Sequence, residues 1–184
     1  MAYLISGIVL FFGVHLIPAF APLKAALVAR LGKRGYRGGF ALIAFLGLGL
    51  IIWGRATTGH YAIYKPPAWG HDAALVLMLP AFILLAAANM KGRIRKATRH
   101  PMLLGALLWA LAHLLANGDL ISIWLFGAFA LFSLLDMVLS SRRGPAPDFA
   151  IKPRQDVVAV LAGMAVYLVF VFFAHKFLFG VKII

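Results

Sequence analysis

Long apolar runs separated by short, mostly basic stretches make up nearly the whole chain. The runs cover residues 2–20, 39–54, 72–90, 102–117, 120–139 and 157–179. Each approaches the roughly twenty residues that a helix needs to cross a hydrocarbon core about 30 Å thick. The pattern predicts an all-α, polytopic membrane protein, a bundle of about six transmembrane helices forming a single domain over residues 1–184.

Two connections carry a pattern of their own. Between the first two runs, Leu23, Ala26, Leu27, Arg30 and Leu31 recur at helical spacing, as expected of a helix lying in the membrane interface or of an ordinary connector helix. The stretch from Arg55 to Gly70 holds Pro66 and Pro67, which forbid a regular helix. Its Tyr61, Tyr64 and Trp69 suit the headgroup level.

Composition narrows the class further. With 64% hydrophobic and 12% charged residues and a mean hydropathy of +0.96, a water-soluble domain is excluded. Cysteine is absent, which removes disulfides, thiolate nucleophiles, thiolate ligands and iron–sulfur clusters. Glutamate is absent too, so any carboxylate chemistry rests on Asp72, Asp119, Asp136, Asp148 and Asp156.

The net charge of +13 does not indicate nucleic acid, because the bases sit between the apolar runs. Fourteen of the 18 Lys and Arg fall in alternate loops: Lys24 to Arg37, Lys91 to Arg99, and Arg142 to Arg154. Positive loops stay cytoplasmic, so both termini are expected to face outward. The same loops would meet anionic lipid headgroups. Ala19-Phe20-Ala21 looks like a signal-peptidase site, but no base precedes it and five follow, an order that fits a retained helix.

Inside the apolar runs the polar inventory is His15, Asn89, His113, Asn117, Asp136 and His175. An ionisable side chain within the membrane costs roughly 2.5 kcal/mol or more, so it is a site candidate by default. His15 follows Gly13 and precedes Pro18. It reads either as a cofactor ligand or as an imidazole donating to a carbonyl that Pro18 leaves unpaired. His113 has Trp109 and Asn117 four residues to either side, on one helix face. Asn117 or a carbonyl could fix its tautomer, as around a metal ligand; the alternative is an interhelical hydrogen bond.

Arg99-His100-Pro101 falls at the cytoplasmic boundary, with Pro101 placed to begin a helix. His100 lies about 20 Å of helical rise from His113, so the two cannot share a compact site. Arg99 and His100 suit a phosphate, a carboxylate, a helix end or a lipid headgroup. His175 and Lys176 can snorkel to the outer surface. Asp136 is expected to pair with the Arg142–Arg143 cluster, and His60 and His71 to be solvated.

Two neutral imidazoles from two helices, near Phe11, Phe12 and Trp109, suit axial ligation of a haem iron. Zinc would want three or four ligands, and neither an HExxH pattern nor a histidine pair at i, i+4 is present. Counted from the cytoplasmic helix ends, His15 lies about 7 Å deep and His113 about 18 Å. Tilt or the Pro18 bend would have to close that difference.

The segments FFGVHLIPAFAPLKAALVARLGKRGYRGGFALIAFLGLGLIIWG, PPAWG, GRIRKATRHPMLLGALLWALAHLLANGD and SSRRG together resemble the NnrU family over nearly the whole chain. That family takes its name from a bacterial gene needed for nitrite and nitric oxide metabolism in denitrification. It is similar to 15-cis-zeta-carotene isomerase, a haem b membrane enzyme. The resemblance implies a bacterial inner-membrane protein with periplasmic termini, haem b held by His15 and His113, and nitric oxide or nitrite reductase components as partners.

The isomerase carries a cysteine three residues before its second ligand, where this chain has Ala110, so exchange through sulfur is unavailable. A haem-dependent cis–trans isomerase of a polyene stands as the alternative activity, and a haem-free assembly or transport factor as the non-enzymatic one. RHP also resembles membrane methyltransferases that bind S-adenosylmethionine, but Met102-Leu103 replaces their tyrosine and their glutamate pair is missing.

Overall fold

Proline and glycine punctuate an otherwise helical chain. The computed structural model describes residues 1–144 and 148–184. Helix α1 (Ala2–Leu16) tightens into a 3₁₀ turn over Ile17–Ala19, where Pro18 removes a backbone donor. Helix α2 (Ala21–Thr57) has 37 residues, about 55 Å at the α-helical rise and far longer than a membrane core. Gly32, at φ 69° and ψ 164°, breaks it. Residues 21–31 therefore form the separate short helix expected from the leucine spacing, and the apolar remainder makes the second long span.

The rest follows as α3 (Gly70–Ala87), α4 (Arg93–Thr98), α5 (Pro101–Ala116), α6 (Leu120–Arg142) and α7 (Pro153–Val169). Helix α7 passes through a π-helical turn, Phe170–Ala174, into α8 (His175–Phe179), which ends at Gly180 with φ 71°. Among the described residues five helical segments are long and apolar enough to span a membrane, and Pro101–Ala116 is a shorter apolar helix. The chain is a multi-pass helical membrane protein. Large side chains such as Phe45 and Val76, each 73% exposed, are stable there because lipid, not water, meets them. Between α2 and α3, Pro66 and Pro67 do keep the chain out of helix.

The chain divides into two compact units. The first comprises residues 1–65 and 117–143, and the second residues 66–116 and 144–184. In the first, α1 lies on α2 at backbone contact. A Cβ on Gly47 would stand 2.7 Å from the Phe11 nitrogen, and one on Gly7 would stand 2.6 Å from the Ile51 nitrogen. Leu4, Ile51 and Ile121 form the buried core of this unit, with Ile8, Phe11 and Leu125 packed against it. Small residues let helices approach closely enough for dispersion to hold them, which in lipid replaces the hydrophobic effect.

The second unit uses the same device around α3. Gly105 of α5 packs on the Ala81 carbonyl, 2.9 Å from its would-be Cβ, and Gly163 of α7 packs on Ile83, 2.6 Å from its Cα. Phe82 adds an aromatic contact to Phe170 with centroids 5.3 Å apart. Gly13 faces open space, as does Gly49.

Candidate functional site

His15 and His113 turn out to be held in the same way. His15 Nδ1 lies 2.6 Å from the Phe11 carbonyl, and His113 Nδ1 lies 2.8 Å from the Trp109 carbonyl. Both partners are four residues back on the same helix. A carbonyl only accepts, so in each contact Nδ1 is the donor. The carbonyl that receives the His15 proton is that of Phe11, not one released by Pro18.

Each ring has aromatic walls. In the first unit, His15 sits 4.3 Å from Phe11, 5.1 Å from Phe40 and 6.1 Å from Phe132, centroid to centroid. In the second unit His113 lies 5.1 Å from Trp109, so the i, i+4 face is real for that pair. Asn117 lies beyond the end of α5 and in the first unit, where its carbonyl accepts from the Tyr64 hydroxyl at 2.8 Å. Phe40 and Phe132 could not be anticipated, because they reach His15 from other helices.

The boundary residues have defined roles too. Arg99 adopts φ 58°, a conformation costing on the order of 1–3 kcal/mol for a non-glycine residue. Its guanidinium donates to the Gly144 carbonyl at 2.5 Å. His100 precedes Pro101, which opens α5 as expected, and the His100 carbonyl accepts from Leu104 at 3.0 Å. Asp136 pairs with Arg143 at 3.0 Å, as its position predicts. His175 Nδ1 meets the Val181 carbonyl at 3.0 Å, and His71 stands 3.8 Å from Asp72 on the surface. Among the described residues, no three or more His, Asp, Glu or Cys side chains gather in a metal-binding group.

Asp119 carries more than the sequence suggested. It caps α6, accepting from the Ser122 nitrogen at 3.0 Å and the Ser122 hydroxyl at 2.6 Å, with Arg55 3.9 Å away. The D-x-x-S spacing just before an apolar run was the available signal. The strand-like piece around Ala62 pairs with this same turn. Ile63 and Tyr64 both donate to the Gly118 carbonyl, at 2.8 and 3.1 Å, and Leu120 donates to Tyr61 at 2.8 Å. Burial pushes the Asp119 carboxyl up, but the two Ser122 hydrogen bonds, with Arg55 and His60, outweigh it and hold the group below the usual carboxylate range. Burial and the neighbouring Asp119 charge push the Tyr64 phenol up, so it stays a neutral donor.

A carboxyl depressed by folding stabilises the protein above its unfolded pKa, and that contribution fades as pH falls through the folded value. Asp119→Ala is expected to cost about 0.5–2 kcal/mol at neutral pH, read as a lower melting temperature in detergent. Asp119→Asn should restore part of it. The gap between wild type and Asp119→Asn should close as the pH drops below about 4; a gap that stays unchanged well below that pH would show that the charge contributes nothing.

A family model described as NnrU protein matches residues 3–183. No curated protein and no solved structure matches the chain.

Proposed function

The chain belongs to the NnrU family, whose members are membrane proteins tied to nitrite and nitric oxide metabolism, and from that premise we propose that this one binds haem b through His15 and His113. The observation that carries the proposal is the shared setting of the two imidazoles. In each, Nδ1 is committed to the carbonyl four residues back. That fixes the tautomer and ring plane in the way outer-shell partners orient metal-ligating histidines.

The rings sit among Phe11, Phe40 and Phe132 in one unit and against Trp109 in the other, apolar surroundings that suit a porphyrin. His15 and His113 would hold a b-type haem, and the haem would supply one-electron chemistry there. The chain's own part is to hold the two rings in one tautomer, in an apolar setting. Ala110, wholly buried, offers no sulfur for ligand exchange, which counts against the isomerase reading.

In this proposal the protein lies in the bacterial inner membrane with both termini periplasmic, and it supports nitrogen-oxide respiration beside nitrite or nitric oxide reductase components. Purified from haem-sufficient cells, it should carry about one haem per chain by the pyridine haemochrome assay. Apoprotein that stays colourless when offered haemin would remove the proposal and leave His15 and His113 as imidazoles bonded within their own helices.

A further inference from the structure

The break at Gly32 turns a short helix away from the line of the membrane span, and beside the break lies an open pocket of about 250 Å³. Its lining is Pro18 from the 3₁₀ turn, Lys24 from residues 21–31, and Tyr36, Arg37 and Phe40 from the span. All five belong to the first unit. Two are cations and none is an acid. The Pro18 carbonyl also accepts from Arg143 at 2.9 Å, which brings a third cation to that wall; Asp136 is the carboxylate already engaged with Arg143, at 3.0 Å.

The Tyr36 hydroxyl is buried and has no hydrogen-bond partner among the described residues. Proteins seldom leave a buried hydroxyl so, because it has given up water without receiving a replacement. A single group that accepts from Tyr36 and compensates Lys24 and Arg37 would satisfy all three. The apolar walls, Pro18 and Phe40, suit whatever carries that group.

We propose that the cavity binds the phosphate of an anionic phospholipid, taken from the leaflet in which residues 21–31 lie. Lys24 and Arg37 flank the phosphate and Tyr36 donates to it, through charge-assisted hydrogen bonds, while the glycerol end rests on Phe40 and Pro18. The volume corresponds to roughly eight waters of bulk liquid, room for a phosphate with its glycerol attachment. A junction between an interfacial helix and a span is where a headgroup is delivered at the right depth, and basic pockets at that level are known to select lipids. The cavity shares the Phe40 ring with the surroundings of His15, but its polar groups, Lys24, Tyr36 and Arg37, take no part in the proposed haem ligation.

The test uses full-length protein in phosphatidylcholine vesicles containing a trace of spin-labelled phosphatidylglycerol or spin-labelled phosphatidylcholine. Wild type should immobilise the glycerol lipid in excess of the choline lipid. The excess should fall about fivefold for each of Lys24→Ala and Arg37→Ala. It should fall roughly threefold or more for Tyr36→Phe, a variant that keeps the ring and hence the fold. Lys33→Ala/Arg34→Ala, which removes two exposed bases outside the lining, should leave it intact. Equal losses from that control pair would reduce the effect to diffuse charge and overturn the site, as would equal immobilisation of the two lipids. Displacement of the label by millimolar inorganic phosphate would assign the cavity to a soluble anion and overturn the lipid assignment.

Discussion

His113→Ala and His15→Ala are each expected to abolish stable haem retention, while His60→Ala leaves the Soret band unchanged. Losing a ligand should cost more than losing an outer-shell partner, which commonly costs 10–100-fold in affinity, so haem should wash out during purification. The two variants keep their helices for different reasons. His15 is bounded by rings that survive its removal, Phe11 and Phe40 in particular. His113 lies on α5, whose packing on α3 runs through Gly105 and Gly70. Circular dichroism should therefore stay helical in both, separating a lost ligand from a lost fold. His60, exposed in the loop before α3, is the control that shares the residue type but not the setting. Haem retained at wild-type level in either ligand variant would contradict the assignment of that residue.

The second large effect is expected at Gly54. A Cβ there would fall 2.6 Å from the Leu4 Cα and collide with the Leu4 backbone nitrogen, and Leu4 is fully buried. A backbone obstacle cannot rotate away, so Gly54→Val should exceed the 1–3 kcal/mol typical of overpacked sites. It should separate α1 from α2 and with them the core of Leu4, Ile51 and Ile121. Gly49→Ala, five positions earlier on the same helix and facing open space, should be neutral or stabilising by up to about 1 kcal/mol through helix propensity. A melting series in detergent reads both. Comparable losses at the two positions would show that this interface does not run through the glycines.

That pair marks how far the sequence alone could reach. Gly47 and Gly49 look alike as letters, yet only Gly47 meets a neighbour, because two residues along a helix is a rotation of about 200°. No pattern within one run tells which face another helix will cover. The order of the apolar helices was legible because lipid imposes length and apolarity on each span, although the expected fourth span, Pro101–Ala116, is shorter than the other five. The broken α2 was legible too, in its leucine spacing, although Gly32 as the breakpoint was not singled out.

The candidate site was legible in part for a similar reason. His15 and His113 stand out as imidazoles in hydrocarbon, and the i, i−4 carbonyl that receives each proton is a local feature of a helix. The Asp119 cap is local as well, and its D-x-x-S spacing was there to be read. Phe40 and Phe132 beside His15 are contributed from distant parts of the chain. So is Asp156, which accepts from the Arg93 and Ile94 nitrogens at 2.8 and 3.0 Å and ties the start of α7 to α4. Nothing in the spacing of those residues announces the contact, since it is created by how the helices pack.

The most direct measurement is low-temperature electron paramagnetic resonance of the oxidised, purified protein. Coordination by two neutral imidazoles predicts a low-spin ferric signal accounting for about one haem per chain, absent in His15→Ala and in His113→Ala. A high-spin signal in wild type, or a low-spin signal that survives both substitutions, would contradict the claim that these two histidines hold the iron.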